Sequence, residues 1–74
     1  MQITYDAEVD ALYIKLRDGT ARTERSDPDV AIDFDNEGLV TGIEILAACE
    51  RVFGESKSIG VHFSPLIPVR ASAA

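Results

Sequence analysis

Two stretches of the chain alternate apolar and polar residues, and an acid-rich turn adjoins each. In Ala11–Leu16, Leu12, Ile14 and Leu16 fall on one side and Tyr13 and Lys15 on the other. In Val30–Phe34, Val30, Ile32 and Phe34 fall together. A period of two belongs to a half-buried β-strand, whose successive side chains point to opposite faces. Gln2–Tyr5 alternates as well, with Ile3 and Tyr5 on one side. Asp6-Ala7-Glu8-Val9-Asp10 therefore reads as the five-residue loop of a β-hairpin. Asp35-Asn36-Glu37-Gly38 turns the chain after Phe34, with Gly38 able to take a positive φ. Leu39–Ile45 is the returning strand. Its inner face is either Leu39, Thr41, Ile43 and Ile45 or Val40, Gly42 and Leu46; alternation alone leaves both open.

The remaining elements are shorter. Asp18-Gly19 marks a turn, Thr20–Glu24 a short third strand, and Ser26-Asp27-Pro28-Asp29 a chain reversal. Leu46–Phe53 is rich in helix formers, with Leu46, Cys49, Val52 and Phe53 able to share a core face and Gly54 as a stop. Ile59, Val61 and Phe63 alternate as a last strand. Ser64–Pro68 interrupts regular structure, and Arg70–Ala74 reads as a tail. The expected fold is α+β: a small antiparallel sheet of two β-hairpins with a short C-terminal helix packed on one face. Residues 1–74 make one small domain, with 54–74 as an apolar arm and tail. Tyr5 and Tyr13 are expected to pair across the first hairpin. Gly42, inside a strand, signals a bulge or a close approach, with the helix as the approaching segment.

At 74 residues the core is thin, and an added source of stability is expected. A disulfide is excluded, because Cys49 is the only cysteine. Cys49 with the single histidine, His62, cannot build a structural zinc site. Oligomerisation is the remaining supplement. A homodimer is expected, through a sheet edge or through the apolar arm carrying Ile59, Val61, Phe63, Leu66, Ile67 and Val69. Thirteen acidic residues against seven basic give a net charge of −6. That argues against direct nucleic-acid binding, which rests on neutralising phosphates, and suits solubility, a basic protein partner or a cation without choosing among them. The segment after Met1 has no secretory pattern, and no apolar run is long enough to span a membrane. The expected location is cytoplasmic. No cofactor is called for.

The stretch Tyr5-Asp6-Ala7-Glu8-Val9-Asp10-Ala11-Leu12-Tyr13-Ile14-Lys15-Leu16 resembles the opening of the YuzE-like family of small bacterial and archaeal domains. Asp33-Phe34-Asp35-Asn36-Glu37-Gly38-Leu39-Val40-Thr41-Gly42-Ile43-Glu44-Ile45-Leu46 resembles that family's second half. The resemblance covers residues Ile3 to Ala48. It implies a small β-rich domain with a C-terminal helix. It implies no activity, cofactor or catalytic residue, because the family's function is unknown. Its members are sometimes suspected of belonging to toxin–antitoxin pairs.

Several constellations bear on chemistry. Counted from Asp33, the residues Asp33, Asp35, Glu37, Gly38 and Glu44 match the oxygen-ligand spacing of an EF-hand calcium loop. The flanks contradict it: Pro28 and the alternation of Val30, Ile32 and Phe34 leave no entering helix, and Glu44 lies up the returning strand. The turn Asp6, Glu8 and Asp10 is a second candidate for a divalent cation, joined by the first if the hairpins sit side by side. Charged, solvated turns are the favoured reading of both sets. Cys49 and His62 have no third residue to complete a catalytic set, and nothing singles out a carboxylate pair. Glu44 reads first as the outward member of a strand, and otherwise as an anchor for an arginine or a backbone amide across an interface. The expected function is a homodimeric protein-interaction module, such as an antitoxin-like partner of a basic protein. Divalent-cation binding is the second reading and a small enzyme the third.

Overall fold

A computed structural model describes residues 1–56 and 58–61. Five antiparallel strands form one sheet: β1 (Gln2–Asp6), β2 (Ala11–Lys15), β3 (Arg22–Asp27), β4 (Val30–Phe34) and β5 (Val40–Ile45). They lie in the order β1-β2-β5-β4-β3. The two expected hairpins are β1–β2 and β4–β5. They are fused by pairing of β2 with β5, which sets Leu12 opposite Ile45 and Ile14 opposite Ile43. The third strand is longer than expected and displaced toward the C-terminus. It makes a third hairpin with β4, in which Glu24 faces Ile32. Its residues are almost all polar and exposed, as suits the outer edge of a sheet, so alternation does not reveal it.

Register sorts the side chains onto two faces. On one face a row of isoleucines crosses four strands, Ile3–Ile14–Ile43–Ile32. Beside it runs Tyr5–Leu12–Ile45–Val30. The inner side of β5 is therefore Thr41, Ile43 and Ile45; Leu39 stays outside the strand and exposed. The other face is polar, with the rows Thr4–Tyr13–Glu44–Ala31–Arg25 and Gln2–Lys15–Gly42–Asp33–Thr23. Tyr5 and Tyr13 do not pair as expected. Tyr5 faces Leu12 and Tyr13 faces Thr4, which puts the two rings on opposite sides of the sheet. Between Asp33–Gly42 and Phe34–Val40 the register slips by one residue at Thr41. The carbonyl of Thr41 accepts from Leu16 and Arg17 (2.8 and 3.2 Å), and its buried hydroxyl lies 2.7 Å from that of Thr20. This bulge ties the β2–β3 connection to the centre of the sheet.

The expected helix over Leu46–Phe53 begins late and is not an α-helix. Ala47 takes φ +52°, which no right-handed helix passes through. A π-helical turn, Cys49–Phe53, follows, and then a 3₁₀ turn, Gly54–Ser56. The π turn closes where the N–H of Gly54, at φ +58°, donates to the carbonyl of Cys49. Ala48 is buried, while Cys49, expected on a core face, is exposed. The fold is thus mainly β with one small helical segment. Ile59 and Val61 are exposed and outside any strand; Phe63 and the rest of the expected arm lie outside the described residues. Among the described residues no helix is long and apolar enough to cross a membrane.

Candidate functional site

The acidic residues of the two turns do not meet. β2 and β5 run antiparallel, so the Asp6–Asp10 loop stands at one end of the sheet and the Asp35–Gly38 turn at the other. Asp6 and Asp35 brace their own turns. Asp6 Oδ1 accepts from the N–H of Glu8 at 2.9 Å. Asp35 Oδ1 accepts from the N–H groups of Glu37 and Leu39, both at 2.9 Å. These are side-chain-to-backbone turns, and in the second the Gly38 N–H also donates to the Asp35 carbonyl at 3.1 Å. Gly38 completes the second turn at φ +85°. Glu44 lies on β5, opposite Tyr13 and Ala31, well up the strand from that turn. Among the described residues no three His, Cys, Asp or Glu side chains gather closely enough to hold a metal ion.

Asp33 is drawn into the polar face instead. Tyr13 crosses over β5 and donates its hydroxyl to Asp33 Oδ2 at 2.5 Å. Thr23 donates to Asp33 Oδ1 at 2.6 Å. The bonded carboxylate holds the Tyr13 phenol above its ordinary range, since ionising it would set two negative charges side by side. Beside this diagonal, Arg25 and Glu44 approach to 3.5 Å across the small side chain of Ala31. Glu44 thus stands on the outward, polar face, with its arginine neighbour in the same sheet. A shallow open groove runs beside them, lined by Thr4, Asp6, Ala11, Tyr13 and Glu44.

The densest constellation joins the first loop to the helical segment. Asp10 Oδ1 accepts from the Tyr5 hydroxyl at 2.6 Å and from the N–H of Cys49 at 3.0 Å. The thiol of Cys49 lies 3.4 Å from the same phenol oxygen. The Ala48 N–H also donates to the Asp10 carbonyl at 3.0 Å. Tyr5 and the thiol depress the Asp10 carboxyl, and Asp10, followed by Cys49, raises the Tyr5 phenol far above its usual range. Asp10 and Ala47 are the two non-glycine residues with positive φ among those described. On the same end, Arg51 Nη1 reaches Asp27 and Asp29 at 2.9 and 3.1 Å. Asp29 first, then Asp27, raises the Arg51 guanidinium further; the Asp29 N–H first, then Arg51, lowers Asp27.

Chemically this end is a clamp. The phenol is held protonated, and the bonded Asp10 oxygen is occupied twice. His62, the other half of the Cys49 pair considered above, lies outside the described residues. The sequence singled out Asp10 as an acidic turn residue but not its partners. Tyr5 and Cys49 stand 44 positions apart, and no local spacing links them. Arg51 and its two aspartates were missed for the same reason.

A model of the family described as "Protein of unknown function (DUF2283)" matches residues 2–48. Neither a curated protein nor a solved structure matches the chain.

Proposed function

The chain belongs to this family of unknown function, and we propose that it works by binding another protein, as a self-associating interaction module. The observation that carries this reading is the apolar face. A row of four isoleucines and its flanking row lie on one side of a sheet that, among the described residues, has no second layer. The T-shaped packing of Phe53 on Tyr5, with centroids 5.2 Å apart, covers only the end next to the clamp. Among the described residues the buried apolar side chains are Leu12, Ala31 and Ala48, which is little core for five strands. Burying a further 400 Å² or so of apolar surface is worth about 10 kcal/mol before the cost of association. The four isoleucines are half-buried, and an apolar face that the described residues cover only in part marks an interaction site.

The partner that fits is apolar where it meets this face and basic overall, because the whole chain carries a net charge of −6. A neutralising, antitoxin-like role toward a basic protein is one form of this reading. The finer assignment to YuzE-like relatives rests on residues 5–16 and 33–46.

Two measurements test it. Light scattering at micromolar concentration should return about twice the 8.0 kDa chain mass; a monomer would contradict self-association. An amphipathic leucine–lysine peptide should bind the wild type at low salt and lose affinity for Ile43→Glu, with the sheet intact by circular dichroism. If residues 62–74 cover the face themselves, the peptide fails to bind and Ile43→Glu unfolds the protein.

A further inference from the structure

The two edges of the sheet differ in their defences. The outer strand β3 carries Arg22, Glu24 and Arg25, and its register is irregular between Arg25 and Asp27. Charges and bulges are the usual means of keeping an edge from pairing with a stranger. β1 has neither over Gln2-Ile3-Thr4-Tyr5; its register with β2 runs unbroken from Gln2–Lys15 to Asp6–Ala11. Among the described residues no strand pairs with its outer side.

The hydrogen-bond phase says which groups that edge offers. The Leu16 N–H donates to the Thr41 carbonyl, so the even-numbered residues of β2 aim their backbone groups at β5 and the odd-numbered ones at β1. The β1 partners of the odd residues are Gln2, Thr4 and Asp6. The N–H and C=O groups of Ile3 and Tyr5 therefore point outward.

We propose that β1 is the self-association edge, pairing antiparallel with β1 of a second copy about a two-fold axis at Thr4. The inference rests on the self-association proposed above. In that register Ile3 exchanges both backbone bonds with Tyr5 of the second copy, and the reverse, giving four bonds. Ile3 and Tyr5 share the apolar face, so their side chains meet apolar to apolar and the isoleucine row continues into the second sheet. Gln2 falls opposite Asp6, so no like charges meet. Thr4 meets its own symmetry mate in the close, non-hydrogen-bonded pair, with Cα atoms about 4.5 Å apart.

A charge-swap at Thr4 tests this. Thr4 is exposed on the polar face, so Thr4→Lys and Thr4→Glu leave the monomer fold intact, as circular dichroism can verify. Each alone should raise the dimer dissociation constant, by roughly fivefold at low ionic strength, because like charges then stand opposite each other. Mixed one to one, the two variants should form the heterodimer in preference to either homodimer, by native mass spectrometry. A wild-type dimer with both variants dimerising unchanged and mixing statistically would overturn the edge while leaving self-association standing. A monomeric wild type would overturn both.

Discussion

The hydroxyl of Tyr13 fills the space over Gly42 that any side chain there would need. A Cβ built on Gly42 collides with the Tyr13 hydroxyl, and the ring lies across β5 to reach Asp33. The close approach signalled by a glycine in a strand comes from this tyrosine, where the helix had been expected. Gly42→Ala should therefore cost about 1–3 kcal/mol by urea denaturation, the range for overpacking a filled site. In a Tyr13→Ala background the same change should cost less than about 1 kcal/mol. Equal costs in both backgrounds would show that the ring is not the obstacle.

Ala47 sits at φ +52° without a glycine's freedom. The left-handed region costs an ordinary residue about 1–2 kcal/mol, and part of that is returned by the unfolded chain when glycine replaces alanine. Ala47→Gly should stabilise the protein by about 0.5–1 kcal/mol. Loss of stability, as in an ordinary helix interior, would mean that Ala47 does not hold this conformation in solution.

Both tyrosines of the chain donate to a carboxylate, Tyr5 to Asp10 and Tyr13 to Asp33. Both phenols are raised above their ordinary value of 10.0. In the folded protein, absorbance at 295 nm should show no tyrosine ionising with a normal midpoint. A raised folded-state pKa means the folded form holds its proton longer than the unfolded chain. The stabilisation is complete below the unfolded value and is lost as pH rises through the folded one. Stability should hold up to about pH 10 and then fall. Asp10→Asn should bring one phenol back toward its ordinary range and leave the other displaced; two normal transitions in the wild type would refute both contacts.

Asp35 is a turn-former, holding two backbone N–H groups with one oxygen. Asp35→Ala should cost about 1–2 kcal/mol from two lost bonds. The loss should be the same with or without millimolar calcium, and calcium should leave the wild-type unfolding midpoint unchanged. A calcium-dependent rise in that midpoint, abolished by Asp35→Ala, would restore the turn as a cation site.

Four of the five strands were legible from alternation, because a half-buried strand must place every second side chain in the same environment. The turns at Asp6–Asp10 and Asp35–Gly38 were legible because short acidic side chains and a glycine suit tight reversals. β3 was only partly legible, its boundaries displaced, since an exposed edge strand with polar residues on both faces has no alternation to show.

Sequence by itself determined four of the five strands, the turns at Asp6–Asp10 and Asp35–Gly38, the lack of a second cysteine for a disulfide within the chain, and the acidic balance of this protein. Each follows from residue type or from spacing within a few positions. Tertiary structure alone decided that β2 pairs with β5, which sends the acidic turns to opposite ends and Tyr5 and Tyr13 to opposite faces. It also decided that Asp10 bridges Tyr5 and Cys49, that Tyr13 needs Gly42, and that a positive φ at Ala47 delays the helix. These depend on contacts between segments tens of residues apart, where the register of one pair of strands selects every neighbour and no local periodicity carries the information.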